Sequence, residues 1–206
     1  MMKINLGSGS TPLDDYINVD MDSLEDLKIR YPHRKFSGDT VIKQWDIFNL
    51  PVDNDSVDEI RSECLFEHLN FVEEKAIFYE VKRVLKPGGI LHLCVPDFNE
   101  LVKTWINAKD DWQDWYRTDK EAIEQQHWFG QNSYSMDNKW GYTTACLFGN
   151  QHGNGQFHKN CYTLNKLKKI FDRIGFEVIQ HENFMWPRGQ DSIIRIIGKK
   201  LQEKTK

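Results

Sequence analysis

Two glycines separated by one residue, Gly7-Ser8-Gly9, follow directly on the apolar alternation Met2, Ile4, Leu6. With no side chains there, backbone N–H groups can come close to a carboxylate or a phosphate. Three acids stand where successive strands are expected to end: Asp20 after Ile17-Asn18-Val19, Asp46 near the end of 41–47, and Glu63 after 57–62. Such a set offers hydrogen-bond acceptors beside a close backbone approach. Two phosphate-binding patterns are excluded. A dinucleotide fingerprint would carry a third glycine where Pro12 stands, and no Gly-Lys-Ser/Thr follows the loop. Taken alone, a Gly-x-Gly after a strand reads equally well as an ordinary tight turn.

The elements that must position these residues read as alternating strands and helices. Ile4 and Leu6 mark a first strand, and Ile17 and Val19 a second. Between them Thr11-Pro12-Leu13-Asp14 has the form of a capping box, which predicts one helical turn in an unusually short crossover. A short helix is expected at 23–29 and strands at 41–47 and 57–62. Ile77, Val81, Val84 and Leu85 repeat at helical spacing within 71–85, which Pro87-Gly88-Gly89 terminates. Residues 90–95 form an apolar strand of the kind buried on both faces. A helix capped by Asp97 should run to 107.

Regular spacing then fails from 108 to 160 and resumes with Thr163 as N-cap, with Leu164, Leu167, Phe171 and Ile174 on one face and Gly175 as the stop. Strands at 176–181 and 192–197 complete the chain, and the basic tail 198–206 is expected to fray. This order predicts an α/β fold with a mostly parallel, doubly wound (Rossmann-like) sheet, an antiparallel final strand, and an aromatic-rich insertion. In an open sheet of this kind, ligands sit at the carboxyl ends of the strands, where Gly7 and Gly9 would lie. The 206 residues suit a single domain, 1–206, with 108–160 as a lid or substrate-binding insertion.

Composition narrows the function further. The 27 Lys and Arg against 31 Asp and Glu leave a net charge of −4 with both signs dispersed, so there is no basic field to gather nucleic acid. No apolar run reaches the ~20 residues of a membrane span and no signal peptide is visible, so a cytoplasmic protein is expected. Cys64, Cys94, Cys146 and Cys161 show no C-x-x-C pair and no histidine at ligand spacing. They are read as reduced and mostly core, and no metal is expected. Nothing in the sequence speaks to oligomeric state.

Three segments together resemble the class I S-adenosylmethionine-dependent methyltransferases, specifically the type 11 methyltransferase-domain group. They are Asn5-Leu6-Gly7-Ser8-Gly9, the run Asp46-Ile47-Phe48-Asn49-Leu50-Pro51 continuing to Ile60, and Glu80-Val81-Lys82-Arg83-Val84-Leu85-Lys86-Pro87-Gly88-Gly89. The resemblance implies S-adenosyl-L-methionine as cofactor. It implies that Gly7, Ser8 and Gly9 pass under its methionine part, with Asn5 also a cofactor-binding candidate, that Asp20, beside Met21, accepts from the ribose hydroxyls, and that Asp46 and the Ile47 backbone receive the adenine edge. Glu63 adds a third strand-end acid, and His68, in Phe66-Glu67-His68-Leu69, shapes the pocket wall. The family often has an acid where Asn5 stands and a small residue where Thr11 stands, and the short crossover removes much of the usual first helix.

For the acceptor, Ser62-Glu63-Cys64-Leu65 lacks the Asn/Asp-Pro-Pro-aromatic motif of amide and adenine methylators, and there is no Pro-Cys pair for attack on cytosine. Trp105, Trp112, Trp115, Trp128 and Trp140 lie in or beside the insertion with His127, His152 and His158. Aromatic rings of this kind either stack on a substrate or form the insertion's own core. His158-Lys159-Asn160-Cys161-Tyr162-Thr163 resembles the histidine-bearing approach to the last helix in the type 11 group, which makes His158 the candidate base or substrate-orienting residue. A structural histidine is the alternative. The expected function is methyl transfer to a small molecule or glycan precursor, at oxygen. A catalytically silent cofactor- or partner-binding module of the same fold is the competing reading. A nicotinamide oxidoreductase is disfavoured by Pro12 and by Tyr162-Thr163-Leu164-Asn165-Lys166, which misses the Tyr-x-x-x-Lys spacing by one.

Overall fold

The computed structural model describes residues 1–110, 139, 142–149, 151, 155–185 and 192–202. Seven strands form one sheet: β1 (Lys3–Leu6), β2 (Ile17–Val19), β3 (Ile42–Lys43), β4 (Val57–Glu63), β5 (Leu85–Pro96), β6 (Phe176–Met185) and β7 (Ser192–Lys200). Their spatial order is β3-β2-β1-β4-β5-β7-β6. The five strands from β3 to β5 are parallel, and β7 runs antiparallel to both β5 and β6. The expected α/β class and antiparallel final strand are therefore found. The described helices are α1 (Leu24–Arg30), α2 (Phe71–Val84), α3 (Phe98–Asn107), α4 (Tyr142–Phe148) and α5 (Leu164–Ile174), with a 3-10 turn at Phe66–His68.

The core follows the patterns that the sequence carries. Ile4, Leu6, Val19, Ile60, Leu91, Leu93 and Val95 on the strands are fully buried. Ile77, Val81 and Val84 of α2 and Leu167, Phe171 and Ile174 of α5 close over them. Phe66, Phe78, Phe171 and Phe176 run in a chain of tilted ring contacts with centroids 4.9–6.3 Å apart, the spacing that aromatic quadrupoles favour. Helix α2 is held at its start by a full capping box from Asn70 and Glu73, and α5 begins on Thr163 and ends on Gly175 at φ +83°. Burial of the apolar faces and satisfaction of the helix ends thus fix the same boundaries.

Three expectations are corrected. The segment 11–14 is not helical: Thr11 Oγ1 donates to the Ser8 carbonyl, and the Leu13 N–H goes to Asn18 Oδ1 at 2.8 Å instead of to Thr11. Buried Asn18 also donates to the Leu13 carbonyl at 2.9 Å and accepts from Asn5 Nδ2 at 3.0 Å. Two asparagine amides do the work a crossover helix would do, giving the loop's backbone groups partners. Strand β3 is only Ile42–Lys43, so Asp46 lies in the turn beyond it. The tail does not fray from 198: β7 runs to Lys200, whose Nζ is buried and donates to Asp55 Oδ1 and to the Lys82 and Leu85 carbonyls at 2.6–2.7 Å, capping the end of α2. The cysteines divide evenly, with Cys94 and Cys146 buried, Cys64 half-buried and Cys161 exposed.

Candidate functional site

At the carboxyl ends of β1, β2 and β4 the chain builds a loop that only glycine tolerates at one point. Gly7 has φ +65°, and a Cβ there would sit 3.0 Å from Leu65 Cβ. Gly9 has φ +48°, and a Cβ there would meet only ordinary contacts, the Gly7 carbonyl at 3.8 Å and the Tyr31 hydroxyl at 3.9 Å. Conformation therefore accounts for both glycines, while only Gly9 leaves room for a ligand against the backbone. Ser8 N donates to the Val19 carbonyl at 3.0 Å, and Gly9 N to Asp20 Oδ2 at 2.8 Å, tying the loop to the end of β2. The other Asp20 oxygen accepts from Asp22 N at 3.0 Å. The Ser8 hydroxyl is 1 % exposed and finds no hydrogen-bond partner. A buried hydroxyl is normally paired, so this one marks a place where a ligand group belongs.

A cavity of about 590 Å³ opens above the loop. Of the residues singled out in the sequence, Gly7, Ser8, Gly9, Asp20, Met21, Asp46, Ile47, Glu63 and His68 line it. Asn5 does not: it lies beneath the loop with its amide committed to Thr11 and Asn18. Asp46 holds its turn by accepting from Phe48 N at 2.9 Å, and Glu63 accepts from Arg61 Nε at 3.1 Å. Met21 and Ile47, joined by Trp45 and Phe48, give the same end of the cavity an apolar lining. Trp45 and Phe48 flank the recognised Asp46-Ile47 pair, so proximity in sequence would have found them. Cys64 also lines the cavity, at φ +52°, and no residue type announces a left-handed conformation at a cysteine. A second concavity of about 550 Å³ lies at the opposite end of the central strands, before β4 and beside the end of α2, where charges are already paired with one another, Lys200 with Asp55 and Arg83 with Glu80.

The far wall is built by residues distant in sequence. Lys159 N and Asn160 N donate to the Glu67 carbonyl at 2.8 and 3.1 Å, and His158 N to the Phe148 carbonyl at 3.0 Å. These bonds bring His158 edge-on against His68, with ring centroids 4.8 Å apart. His68 Nδ1 lies 3.1 Å from the Phe157 carbonyl and His158 Nδ1 2.8 Å from the Cys146 carbonyl. A carbonyl can only accept, so each Nδ1 carries the proton and each Nε2 keeps its lone pair. Burial, and then the neighbouring His68, depress the His158 pKa to about 4, and burial lowers that of His68 too. His158 therefore stands behind His68, outside the cavity lining, as a neutral ring.

The absence of ligand spacing among histidines held only along the chain. In space one donor atom each of Glu67, His68 and His158 lie within 4.8 Å of one another. Of the insertion's aromatic residues, Trp105 belongs to α3, where the Lys139 ammonium sits 5.1 Å above its ring. Trp112, Trp115, Trp128, Trp140, His127 and His152 lie outside the described residues, as does most of the expected lid over 108–160. No helix among the described residues is long and apolar enough to cross a membrane.

Residues 9–93 match a methyltransferase-domain family, type 11. No curated protein matches the sequence. Among solved structures, an S-adenosylmethionine-dependent methyltransferase from Methanosarcina mazei aligns with a TM-score of 0.59 at 17% identity, over 98% of this chain and 93% of its own. The Burkholderia thailandensis 1,6-didemethyltoxoflavin-N1-methyltransferase, solved with bound 1,6-didemethyltoxoflavin and S-adenosylhomocysteine, aligns with a TM-score of 0.59 at 11% identity, over 98% of this chain and 71% of its own. A Haloferax volcanii protein solved with the Trm112 methyltransferase activator gives 0.57 at 14%, over 100% and 84%. At these identities the likeness is one of fold.

Proposed function

We propose that this chain, which carries a type 11 methyltransferase domain on the class I S-adenosylmethionine-dependent methyltransferase fold, methylates a hydroxyl of a small molecule or glycan precursor. The observation that carries the reading is the unpaired, buried Ser8 hydroxyl in a glycine loop that leaves room at Gly9, with Asp20, Asp46 and Glu63 around one cavity. That set fits S-adenosylmethionine. Ser8 and the Gly7–Gly9 backbone would hold its methionine end, Asp20 its ribose hydroxyls, and the Asp46-Ile47 turn, with Met21 and Phe48 as apolar walls, its adenine. The bound cofactor supplies an electrophilic methyl carbon, so that the acceptor oxygen gains the methyl, the sulfonium becomes a thioether and the hydroxyl proton leaves.

The chain's own contribution is positioning and handling of that proton. In-line displacement gains most of its acceleration from holding the two reactants in line, and a rigid cavity between β1, β2 and β4 does this. His68 is the histidine that lines the cavity, and with Nδ1 fixed on Phe157 its Nε2 is the lone pair offered to an acceptor hydroxyl. His158 acts as a positioning residue, because its ring packs on His68 while Nδ1 is held by Cys146. The role assigned to His158 from the sequence thus passes in first place to His68.

Calorimetry with S-adenosylmethionine, S-adenosylhomocysteine and NAD, followed by methyl uptake into a panel of sugars and sugar phosphates, tests the reading. Binding of the first two ligands and methyl uptake at a hydroxyl support it. NAD binding without binding of either adenosyl compound defeats the cofactor assignment, and cofactor binding with no uptake across acceptor classes favours the silent module.

A further inference from the structure

From the juxtaposition of Glu67 and His158 with His68 of the cavity wall, we infer a binding site for one divalent transition-metal ion, of the Mn²⁺, Co²⁺ or Zn²⁺ kind, whose open positions on the His68 side take the acceptor's oxygens. Three features support it. The first is the donor set: two imidazoles and one carboxylate suit borderline divalent ions and leave coordination positions for water or substrate. The second is orientation. Histidines that ligate metals almost always donate the other ring N–H to a carbonyl or carboxylate, which fixes the tautomer and aims the remaining nitrogen. Both histidines have this arrangement, His68 on the Phe157 carbonyl and His158 on the Cys146 carbonyl. The third is that Glu67 is buried, and its backbone is anchored by Lys159 and Asn160, the residues that follow His158. The loop carrying the distant ligand is thereby fastened to the turn carrying the other two.

The distances are those of a site that closes on its ion. Donor atoms bound at 2.0–2.2 Å to a common tetrahedral centre stand about 3.4 Å apart, so the present spread of up to 4.8 Å calls for up to about 1.4 Å of contraction. Without a cation, two imidazole rings meet edge-on with centroids 4.8 Å apart. A bound ion would use one lone pair of each. The Lys159 ammonium is paired with Glu73 at 3.7 Å.

The chemical consequence rests on the methyltransferase reading. With the ion bound, the His68 lone pair is committed to it, so the ion replaces His68 in activating the acceptor. A hydroxyl on the ion loses its proton to solvent more readily, and a second, neighbouring hydroxyl can fill another open position, so a vicinal diol is the acceptor class favoured. The metal site itself does not depend on that reading, and the experiment separates the two.

The full-length chain, stripped with chelator, is titrated calorimetrically with Zn²⁺ and Mn²⁺ and spectroscopically with Co²⁺, and S-adenosylhomocysteine binding is measured on the same samples. The expected result is saturable uptake of one equivalent, a visible Co²⁺ ligand-field band, and at least 100-fold weaker uptake in His68→Ala and in His158→Ala. His33→Ala, on the exposed segment after α1, should bind metal as the wild type does. Retained S-adenosylhomocysteine binding certifies that each variant is folded, and Glu67→Gln serves as a third variant should one histidine change fail that check. No saturable uptake of any of the three ions, or uptake unchanged in both histidine variants, overturns the metal site. Loss of S-adenosylhomocysteine binding in the stripped wild type, with metal uptake intact, would instead count against the cofactor reading.

Discussion

The two walls of the cavity are assembled in opposite ways. The wall formed by Gly7, Ser8, Gly9 and Asp20 comes from fourteen consecutive residues, and it is stitched by backbone bonds to β2 and by the Asn5–Asn18 amide pair beneath it. The wall at His68, backed by Glu67 and His158, joins residues ninety positions apart through a few hydrogen bonds between an irregular loop and a 3-10 turn. A ligand common to many proteins can be met by a rigid local motif. A wall that differs between acceptors is better carried on a loop outside the sheet, where residues change without disturbing the core. The two walls should accordingly respond differently to mutation, one losing binding and the other losing turnover.

The largest effect is expected on the second wall. His68→Ala should lower turnover on an identified acceptor by ~10²–10⁴-fold while S-adenosylhomocysteine affinity stays within a few-fold. Equal losses in both quantities would mean that the walls are one functional unit and break the comparison.

The next effect is a pH dependence of stability. His158 has its pKa depressed from 6.5 to about 4 by burial and by His68, so between those values the unfolded chain binds a proton that the folded chain does not. Stability should be full above pH 6.5 and fall as the pH drops toward about 4, by roughly 3 kcal/mol from this group. Denaturant melts across this range should show a slope that His158→Gln flattens. An unchanged slope in that variant removes His158 as its source.

On the first wall, Asp20→Ala should weaken S-adenosylmethionine binding by ~1.5–3 kcal/mol, the worth of hydrogen bonds to a charged acceptor, and should also release Gly9 and Asp22. Unchanged affinity in calorimetry would remove Asp20 from the ligand's contacts. The smallest effect belongs to the support beneath. Asn18→Ala leaves the Leu13 N–H and carbonyl and the Asn5 amide without their partner, for a stability loss of ~1–3 kcal/mol with the His68 side untouched. A loss of turnover in this variant larger than its loss of cofactor affinity would show that the two walls are coupled.

Much of the first wall was legible before any coordinates. Asp20 stands at the end of an alternating apolar strand, Thr163 and Gly175 bracket a helix with one apolar face, and each signal spans a few residues whose geometry is set by local sterics and hydrogen bonding. Where local rules misled, a long-range bond had won. The Thr11-Pro12-Leu13-Asp14 capping box is overridden because buried Asn18, brought in by β1–β2 pairing, takes the Leu13 N–H. Lys200 belongs to a strand, although its neighbourhood reads as a basic tail, because its ammonium meets the carbonyls at the end of α2 across the fold.

By itself the sequence determined the alternation of strands with the helices α1, α2, α3 and α5, the glycine loop, and Asp20 and Glu63 at strand ends, since these depend on residue type and on spacings of a few positions. Only the tertiary structure decided that Asn5 supports the loop from below, that His68 stands in front of His158, and that Glu67 joins them. Nothing in the local preferences of 67–68 or of 158 refers to the other. The meeting is fixed by the Glu67 carbonyl accepting from Lys159 and Asn160, a pairing that exists once Asp97, at the end of β5, bridges to Tyr162 on the return of the chain to α5.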